Sequence, residues 1–185
     1  MFKKFDPSTD VSTSSLSKAS VMRSLKTKLI ECNPKLNDEL LDEFMPKKHP
    51  LVQFKVGPHL MLYCRKIEKE NASPSDEPVF FQHRDGPIMP TLKLVHHYPA
   101  LEFKKVTVDK GAIPFLLGGA NVMCPGLTNP GGEMPSDGEE KDANGFDIPG
   151  LEKGDAVVIY AEGKEYAIAC GVMTMSSEEV YVICA

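Results

Sequence analysis

Residues 108–126, VDKGAIPFLLGGANVMCPG, constrain the fold more than any other stretch, because four glycines and two prolines interrupt an otherwise apolar run. Asp109 precedes this run and predicts a helix start, since an aspartate side chain accepts hydrogen bonds from the first free N–H groups of a helix. Such a start attracts anions, and Gly111 and Ala112 leave it open to a ligand. We therefore interpret the stretch as a recognition site.

The rest of the stretch predicts a short helix followed by a strand. Gly118 and Gly119 end the helix, and Pro125 with Gly126 turns the chain after a strand over 120–123. Pro114 removes a helix hydrogen bond, so it is expected to kink or shorten the helix. The apolar residues expected on the buried face of this helix are Ile113, Phe115, Leu116 and Leu117.

Six segments resemble the malignant T-cell-amplified-sequence family of eukaryotic translation factors, and the pattern of residues 108–126 resembles the PUA domain, a small RNA-binding pseudo-barrel. The segments are MFKKFD at 1–6, MPKK at 45–48, GPIMPTLKLVHHYP at 86–99, VDKGAI at 108–113, GGANVMCPGLT at 118–128 and AEGKEYAIACGVMTMS at 161–176. They follow the family's order over most of residues 1–180. The resemblance implies an α+β fold, with an N-terminal α+β domain over 1–102 and a PUA-type β pseudo-barrel over 103–185.

The resemblance also implies a function. A member of this family pairs through its first domain with a density-regulated-protein partner and binds the small ribosomal subunit in the cytoplasm. It acts in reinitiation, noncanonical initiation and release of tRNA after termination. The PUA face is expected to contact ribosomal RNA or a tRNA acceptor end, without making or breaking a bond.

Physical roles follow for the recognition stretch. A phosphate fits Lys110 and the neighbouring backbone N–H groups, the glycine turn permits close approach of a strand, and Asn121 is suited to a base edge or a sugar. The predicted RNA-binding residues are Lys110, Gly111, Ala112, Gly118, Gly119, Ala120, Asn121, Met123, Pro125, Gly126 and Val172. Each also has a purely structural interpretation: solvated charge for the lysine, turn chemistry for the glycines and core packing for Met123.

The charge distribution separates the two halves of the chain. The formal net charge is −5, with basic residues in excess up to Lys110 and acidic residues in excess after it. An acidic Gly/Pro-rich loop over 129–154, longer than is usual in the family, carries much of the negative charge. Weak binding of free RNA is therefore expected, with a structured ribonucleoprotein as target. Basic residues that predict ribosome or partner contacts, or else simple solvation, are Lys47, Lys48, Arg84 and Lys93.

Other function classes find little support in the sequence. The chain has no apolar run long enough for a membrane helix, so a membrane partner is not expected and the cytosol is the default location. Five cysteines without a CxxC pair argue against a disulfide framework or a zinc ribbon, and we predict no metal and no cofactor. No recognised catalytic motif occurs, and Cys124 as a catalytic thiol is disfavoured against a small buried cysteine. Two alternatives stay open: a protein-interaction module without RNA affinity, and an RNA-modification protein.

Periodicity predicts the remaining elements. In the first domain, helices are expected over 18–31, over 37–44 and from Pro90, the last with Leu92, Val95 and Tyr98 facing inward; strands are expected over 51–56, 60–64 and 79–83. The loop over 68–78 is expected to be mobile. In the second domain, strands are expected over 106–108, 156–161 and 166–175, the last interrupted at Gly171. Residues 180–183 are expected to replace a closing strand of the barrel or else to leave a strand edge open.

Overall fold

The computed structural model describes residues 6–33, 36, 38–46, 48–67, 75–135, 140–141, 147–148 and 150–184. These residues form two compact units: the first extends to Leu101, the second begins at Glu102, and Asn33 groups with the second. None of the helices in these ranges has the length and apolar character needed to cross a membrane.

The first unit is built on a five-stranded antiparallel sheet whose strands follow one another in chain order. The strands are β1 (Val11–Leu16), β2 (Val52–Val56), β3 (Leu60–Ile67), β4 (Ser75–His83) and β5 (Ile88–Pro90). The helices are α1 (Pro7–Asp10), α2 (Ala19–Cys32), α3 (Asp38–Phe44) and α4 (Leu92–His97). The three central strands predicted from the sequence are confirmed, with extended ends for β3 and β4.

Helix α2 packs as its spacing predicts, because residues three or four positions apart share one face of a helix. Met22, Leu25 and Leu29 are the buried residues of α2. In α3, Leu41 and Phe44 are buried, while Leu40 is partly exposed. Both predicted helices are confirmed.

Three features of the first unit differ from the prediction. Strand β1 was not predicted, because it is rich in Ser and Thr and five of its six residues are exposed, so no apolar alternation marks it. Strand β4 begins at Ser75, inside the loop predicted as mobile; residues 68–74 of that loop lie outside the described ranges. Pro90 ends β5 instead of starting a helix, and Thr91 caps α4 by accepting the N–H of Leu94 at 3.2 Å.

The inward residue of α4 also differs from the prediction. Leu94 is buried with 2 % exposure, whereas Leu92, Val95 and Tyr98 are half-buried. The predicted helix is therefore confirmed, and Tyr98 packs against Phe44 as an inward residue, but the most buried residue of α4 is Leu94, which was not predicted.

The second unit contains a three-stranded sheet whose central strand, Ala156–Ala161, is parallel to Lys105–Val108 on one side and antiparallel to Ala169–Val172 on the other. The strands are β6 (Lys105–Val108), β9 (Ala156–Ala161) and β10 (Ala169–Val172), with a two-stranded ribbon of β7 (Glu140–Lys141) and β8 (Asp147–Ile148). Its helices are a 3₁₀ turn (Lys110–Ala112), α5 (Ile113–Leu117), α6 (Cys124–Thr128) and α7 (Ser177–Cys184). The core residues are Val106, Val108, Leu127, Met134, Leu151, Val157, Ile159, Ala161, Met173 and Val180.

Strands β6 and β9 confirm the sequence prediction, the strand predicted over 166–175 is confirmed only in part, and the strand predicted over 120–123 is wrong. Residues 120–123 have no regular structure, and the expected turn at Pro125 and Gly126 is instead part of α6, whose first turn accepts a proline. The long strand predicted over 166–175 is reduced to β10. Residues 180–183 belong to α7, so of the two alternatives the closing strand is wrong; in the described residues β10 pairs with β9 alone.

A reciprocal cap explains why α7 is a helix despite its β-prone end. The Ser176 hydroxyl accepts the N–H of Glu179 at 3.2 Å, and the Glu179 carboxylate accepts the N–H of Ser176 at 2.9 Å. This pairing is the capping box, which satisfies two N–H groups that would otherwise lack partners. The helix is anchored further by buried Val180 and by the Tyr181 hydroxyl, which donates to the carbonyl of Met134 at 3.0 Å.

Candidate nucleic-acid interface

Asp109 lies at the centre of the predicted recognition stretch, directly after β6. Its Oδ1 accepts the N–H of Ala112 at 2.8 Å, and its Oδ2 accepts the side-chain amide of Asn129 at 3.0 Å. These hydrogen bonds, from Asn129 first and then Ala112, hold the pKa of the Asp109 carboxyl below its usual range. The predicted cap is therefore present and negatively charged at neutral pH.

This cap changes the expected anion site. The N–H of Ala112, which was predicted to bind a phosphate, already donates a hydrogen bond to the Asp109 carboxylate. Lys110 is 68 % exposed, and its Nζ lies 3.5 Å from the Glu162 carboxylate. An exposed ion pair of this length is weak, so the lysine is available to a stronger anion. A phosphate at this position has to compete with two carboxylates.

The glycine turn forms as predicted. The N–H of Gly118 donates to the carbonyl of Pro114, and Gly119 has a φ of +88°, which a residue with a Cβ rarely adopts. Pro114 is the second residue of α5, where its missing N–H is not needed. The helix has five residues and ends at Gly118, and Pro114 does not kink it, because at this position the proline removes no helix hydrogen bond.

The short helix α5 leaves apolar side chains in solvent. Phe115 is 69 % exposed and Leu117 is 55 % exposed, so their predicted burial is wrong. Ile113 and Leu116 occupy the positions that pack on the core, and five residues cannot bury a second face. Met123 is 71 % exposed, which excludes the core interpretation of that residue.

Most of the predicted RNA-binding residues line one of two neighbouring depressions of the second unit. The first, which we name the apolar groove, has a volume of about 270 Å³. Its lining residues are Asp109, Gly111, Ala112, Phe115, Leu116, Asn121, Val122, Met123, Pro125, Gly126 and Asn129. Six predicted residues therefore share this groove, with an exposed phenylalanine that the sequence prediction had placed in the core.

The second depression, which we name the core cleft, has a volume of about 310 Å³. Gly119, Ala120, Asn121 and Val172 line it together with residues of the core. Asn121 thus lies between the two depressions and lines both. Lys110 and Gly118 line neither.

The predicted basic residues of the first unit lie on separate elements. Lys47 falls outside the described residues, and Lys48 is exposed after α3. Arg84 is exposed in the turn between β4 and β5 with a φ of +53°. The Lys93 ammonium lies 2.7 Å from the Glu77 carboxylate, so it forms an ion pair within the first unit.

Glu77 is the centre of a polar cluster that the sequence analysis missed. Its side chain is 8 % exposed and accepts from Arg65 at 3.3 Å as well as from Lys93. Arg65 also donates to the Tyr98 hydroxyl, and its guanidinium lies 4.8 Å from the ring centre of Phe44. The partners are distant in sequence, so no local signal could have revealed the cluster.

Three of the five cysteines have a thiol pKa raised above its ordinary value. Burial raises the pKa of Cys124, and a hydrogen bond with Cys184 raises it further. Burial raises the pKa of Cys64 and of Cys170 to about 12. A nucleophilic cysteine requires the opposite shift, so Cys124 lacks the property that the thiol-enzyme hypothesis needs. Within the described ranges, no three His, Cys, Asp or Glu residues are placed to hold a metal ion.

Comparison with known proteins agrees with this architecture. A pre-PUA-like domain matches residues 5–99, and a PUA domain matches residues 104–184. The translation machinery-associated protein 20 of Schizosaccharomyces pombe is 40% identical over 180 residues, which span 97% of this chain and 86% of that protein. The chain belongs to the malignant T-cell-amplified-sequence family. The expected resemblance and the α+β fold with a PUA domain are thereby confirmed.

Other relatives extend the same match. The Drosophila melanogaster malignant T-cell-amplified sequence 1 homolog is 41% identical over 181 residues, covering 97% of this chain and 86% of that protein. The human malignant T-cell-amplified sequence 2 is 38% identical over 180 residues, with the same coverage. The crystal structure of a PUA domain protein from Aeropyrum pernix shares the fold at a TM-score of 0.57 and 19% identity, covering 92% of this chain and 77% of that one.

Proposed function

We propose that the protein is a non-catalytic, RNA-binding translation factor of the cytoplasm. Residues 1–102 form its partner-binding and ribosome-binding domain, and residues 103–185 form its RNA-binding PUA domain. It acts with a density-regulated-protein-like partner on the small ribosomal subunit, in reinitiation, noncanonical initiation, ribosome recycling and release of tRNA after termination. The observation that carries the proposal is family membership across both domains, since the Schizosaccharomyces pombe relative named for the translation machinery matches 97% of the chain.

The second unit supports a particular mode of RNA contact. The apolar groove joins exposed Phe115 and Met123 to the amide of Asn121. Unpaired bases stack on aromatic side chains, and an amide can hydrogen-bond a base edge. In this mode, ribosomal RNA or a tRNA acceptor end presents an unpaired base to the apolar groove of the protein, while Lys110 contacts a phosphate.

Cosedimentation with purified small ribosomal subunits tests the proposal. The protein is mixed with subunits with and without a density-regulated-protein partner, across a salt series. We expect the partner to increase the bound fraction and salt to decrease it, because phosphate contacts weaken as salt rises. Failure to bind at any salt concentration, with the partner present, would contradict the proposal.

A protein-interaction module without RNA affinity is the second candidate. It is favoured by one observation: the phosphate site is occupied by Asp109 at the helix start, and Lys110 lies beside Glu162. The variant Lys110→Glu with Asn121→Ala separates the candidates. We expect it to weaken ribosome binding more than charge reversal at Lys48 and Arg84; the opposite order would assign the binding to the first unit and favour the second candidate.

A further inference from the structure

A pocket in the first unit lies beside helix α2 and shares no lining residue with the apolar groove or the core cleft. Five of its eight lining residues belong to α2, and the other three belong to β3, β4 and β5. Its volume is about 220 Å³, whereas one water molecule takes up roughly 30 Å³ in the liquid. The pocket, which we name the helix pocket, therefore admits a ligand of several heavy atoms.

The start of α2 contributes free backbone donors. The first N–H groups of a helix have no partner inside the helix. In the described part of the chain, the N–H groups of Ser20 and Val21 find no partner outside it either, and both residues line the helix pocket. The first turn of α2 contains no acidic residue. Free donors at the positive end of a helix dipole favour an anion.

Three polar side chains of α2 lie on the same face. Ser20, Ser24 and Lys28 are each four residues apart, a spacing that places side chains next to one another on a helix. All three residues are exposed, and all three line the helix pocket. Their side chains form no hydrogen bond or ion pair with another described residue. Two hydroxyls and one ammonium are therefore available to a ligand.

Tyr63 is independent evidence for a ligand. The residue is 7% exposed and lines the helix pocket. Its hydroxyl has no hydrogen-bond partner among the described residues, and it is not fully enclosed by protein atoms. Burial raises the pKa of Tyr63, so the hydroxyl stays protonated and can donate. Buried hydroxyls are normally paired, and a ligand in the pocket can supply the missing acceptor.

The chemistry of the lining selects the ligand class. None of the eight described residues that line the helix pocket is acidic, and Lys28 is their one cation. A phosphate group offers more acceptor oxygens than a carboxylate, so it can accept from hydroxyls, N–H groups and an ammonium together. Leu25 and Ile88, which are 2% and 5% exposed, add apolar surface. The pocket therefore matches a phosphate that is joined to a small apolar group.

From this geometry we propose that the helix pocket binds a phosphate monoester of a small apolar group. The donors of α2 and the Tyr63 hydroxyl hold the phosphate, and the apolar group packs against Leu25 and Ile88. The inference does not rest on RNA binding by the second unit.

Amide NMR titration of the full chain with phenyl phosphate tests the proposal. Saturable shifts are expected at the amides of Ser20, Val21 and Ser24. Inorganic phosphate lacks the apolar group and benzoate lacks the phosphate, so each should bind about tenfold more weakly. The absence of saturable shifts at these amides, or equal affinity for either comparison ligand, would overturn the proposal.

Tyr63→Phe removes only the unpaired hydroxyl. We expect this variant to bind phenyl phosphate about fivefold more weakly, the effect of one hydrogen bond. Its melting temperature without ligand should not fall, because the hydroxyl has no partner in the described part of the chain to lose. Unchanged affinity of the folded variant would contradict the assignment of Tyr63 to the site.

A matched pair of variants on α2 isolates the contribution of the cation. Lys28→Gln should weaken binding of phenyl phosphate about fivefold to tenfold, as expected for a charged hydrogen-bond donor. Arg23→Gln is the control, because Arg23 is an exposed cation of the same helix that does not line the helix pocket. Equal losses in the two variants would indicate only general attraction by charge and would refute a specific site.

An oligouridylate without terminal phosphates is the competing ligand, because it carries phosphodiesters only. We expect it to leave the amides of Ser20, Val21 and Ser24 unchanged and not to displace phenyl phosphate. The same shifts with RNA, together with displacement of phenyl phosphate, would assign the helix pocket to nucleic acid and overturn the proposal.

Discussion

At the scale of single residues, Asp109 has two opposing effects on the recognition stretch. Its carboxylate orders the helix start through Ala112 and Asn129, and its charge repels a phosphate near Lys110. Asparagine is an equally good capping residue but carries no charge. We therefore expect Asp109→Asn to keep the fold and to strengthen binding of a short single-stranded RNA, measured by fluorescence anisotropy at low salt.

The control for this experiment is Asp109→Ala, which removes both the cap and the charge. It should lower the melting temperature, whereas the asparagine variant should not. Unchanged RNA affinity in the asparagine variant would show that no phosphate approaches this helix start.

Glu77 is the residue for which the structure predicts a pH dependence of stability. Burial raises its pKa, but the hydrogen bond and charge of Lys93, followed by Arg65, outweigh this effect, so the pKa lies below the ordinary value of 4.5. A lowered pKa stabilises the folded state above the unfolded pKa, and this stability is lost as the pH falls through the folded pKa. Glu77→Gln should reduce the free energy of unfolding at pH 7 by about 1–3 kcal/mol, because Arg65 and Lys93 lose a charged acceptor.

Urea unfolding between pH 3 and pH 7 is the measurement. Stability of the native protein should fall toward acid more steeply than that of Glu77→Gln. Lys93→Met is the matched control, since Lys93 is 56 % exposed and Arg65 still neutralises Glu77 in its absence. If the two variants lose equal stability at pH 7, the carboxylate is not the centre of the cluster.

At the scale of elements, the capping box holds α7 in its helical form. Ser176→Ala removes the acceptor for the N–H of Glu179 and should destabilise the second unit by about 1 kcal/mol. The expected readouts are a lower melting temperature and faster amide exchange at Glu179. Glu178→Gln is the control, because Glu178 is an exposed neighbour in the same first turn and makes no capping contact with Ser176.

The elements also show how far the sequence determines this fold. Helix α2 and strand β9 were predictable because one carries apolar residues at helical spacing and the other is a continuous apolar run. Helix α7 was not predicted, because Val180 to Ile183 have β-prone side chains and a closing strand was one of the two alternatives, although the Ser176 and Glu179 pair is a local signal for a helix start. Strand β1 gave no signal, since its formation depends on pairing with β2.

The candidate site was predictable to a similar degree. Glycine and aspartate chemistry located the turn at Gly119 and the cap at Asp109. Exposure of Phe115 was missed because a helix of five residues has no room to bury it, and helix length is set by Pro114 and Gly118 together. The pairing of Lys110 with Glu162 depends on the approach of β6 and β9, which are distant in sequence.

At the scale of the whole molecule, the charge distribution limits how strongly salt can affect RNA binding. The protein carries a net charge of −5, and Lys104 of the second unit is tied to Asp155 at 2.6 Å with only 12% of its side chain exposed. Lys105, Lys110, Lys153 and Lys164 are exposed lysines of the second unit. A single RNA strand can reach only those near the recognition stretch, so about two or three phosphate contacts are expected, and the logarithm of the affinity should fall with the logarithm of salt at a slope of about −1.4 to −2.1.

Anisotropy titrations of a fluorescent oligouridylate between low and physiological salt measure this slope. Lys110→Gln should make it shallower by about 0.7, the effect of one phosphate contact on a single strand. Lys153→Gln is the control, because Lys153 is also an exposed lysine of the second unit but lines neither the apolar groove nor the core cleft. A slope steeper than about −4 would require more cations than the recognition stretch provides, and it would place the RNA on the more basic first half of the chain.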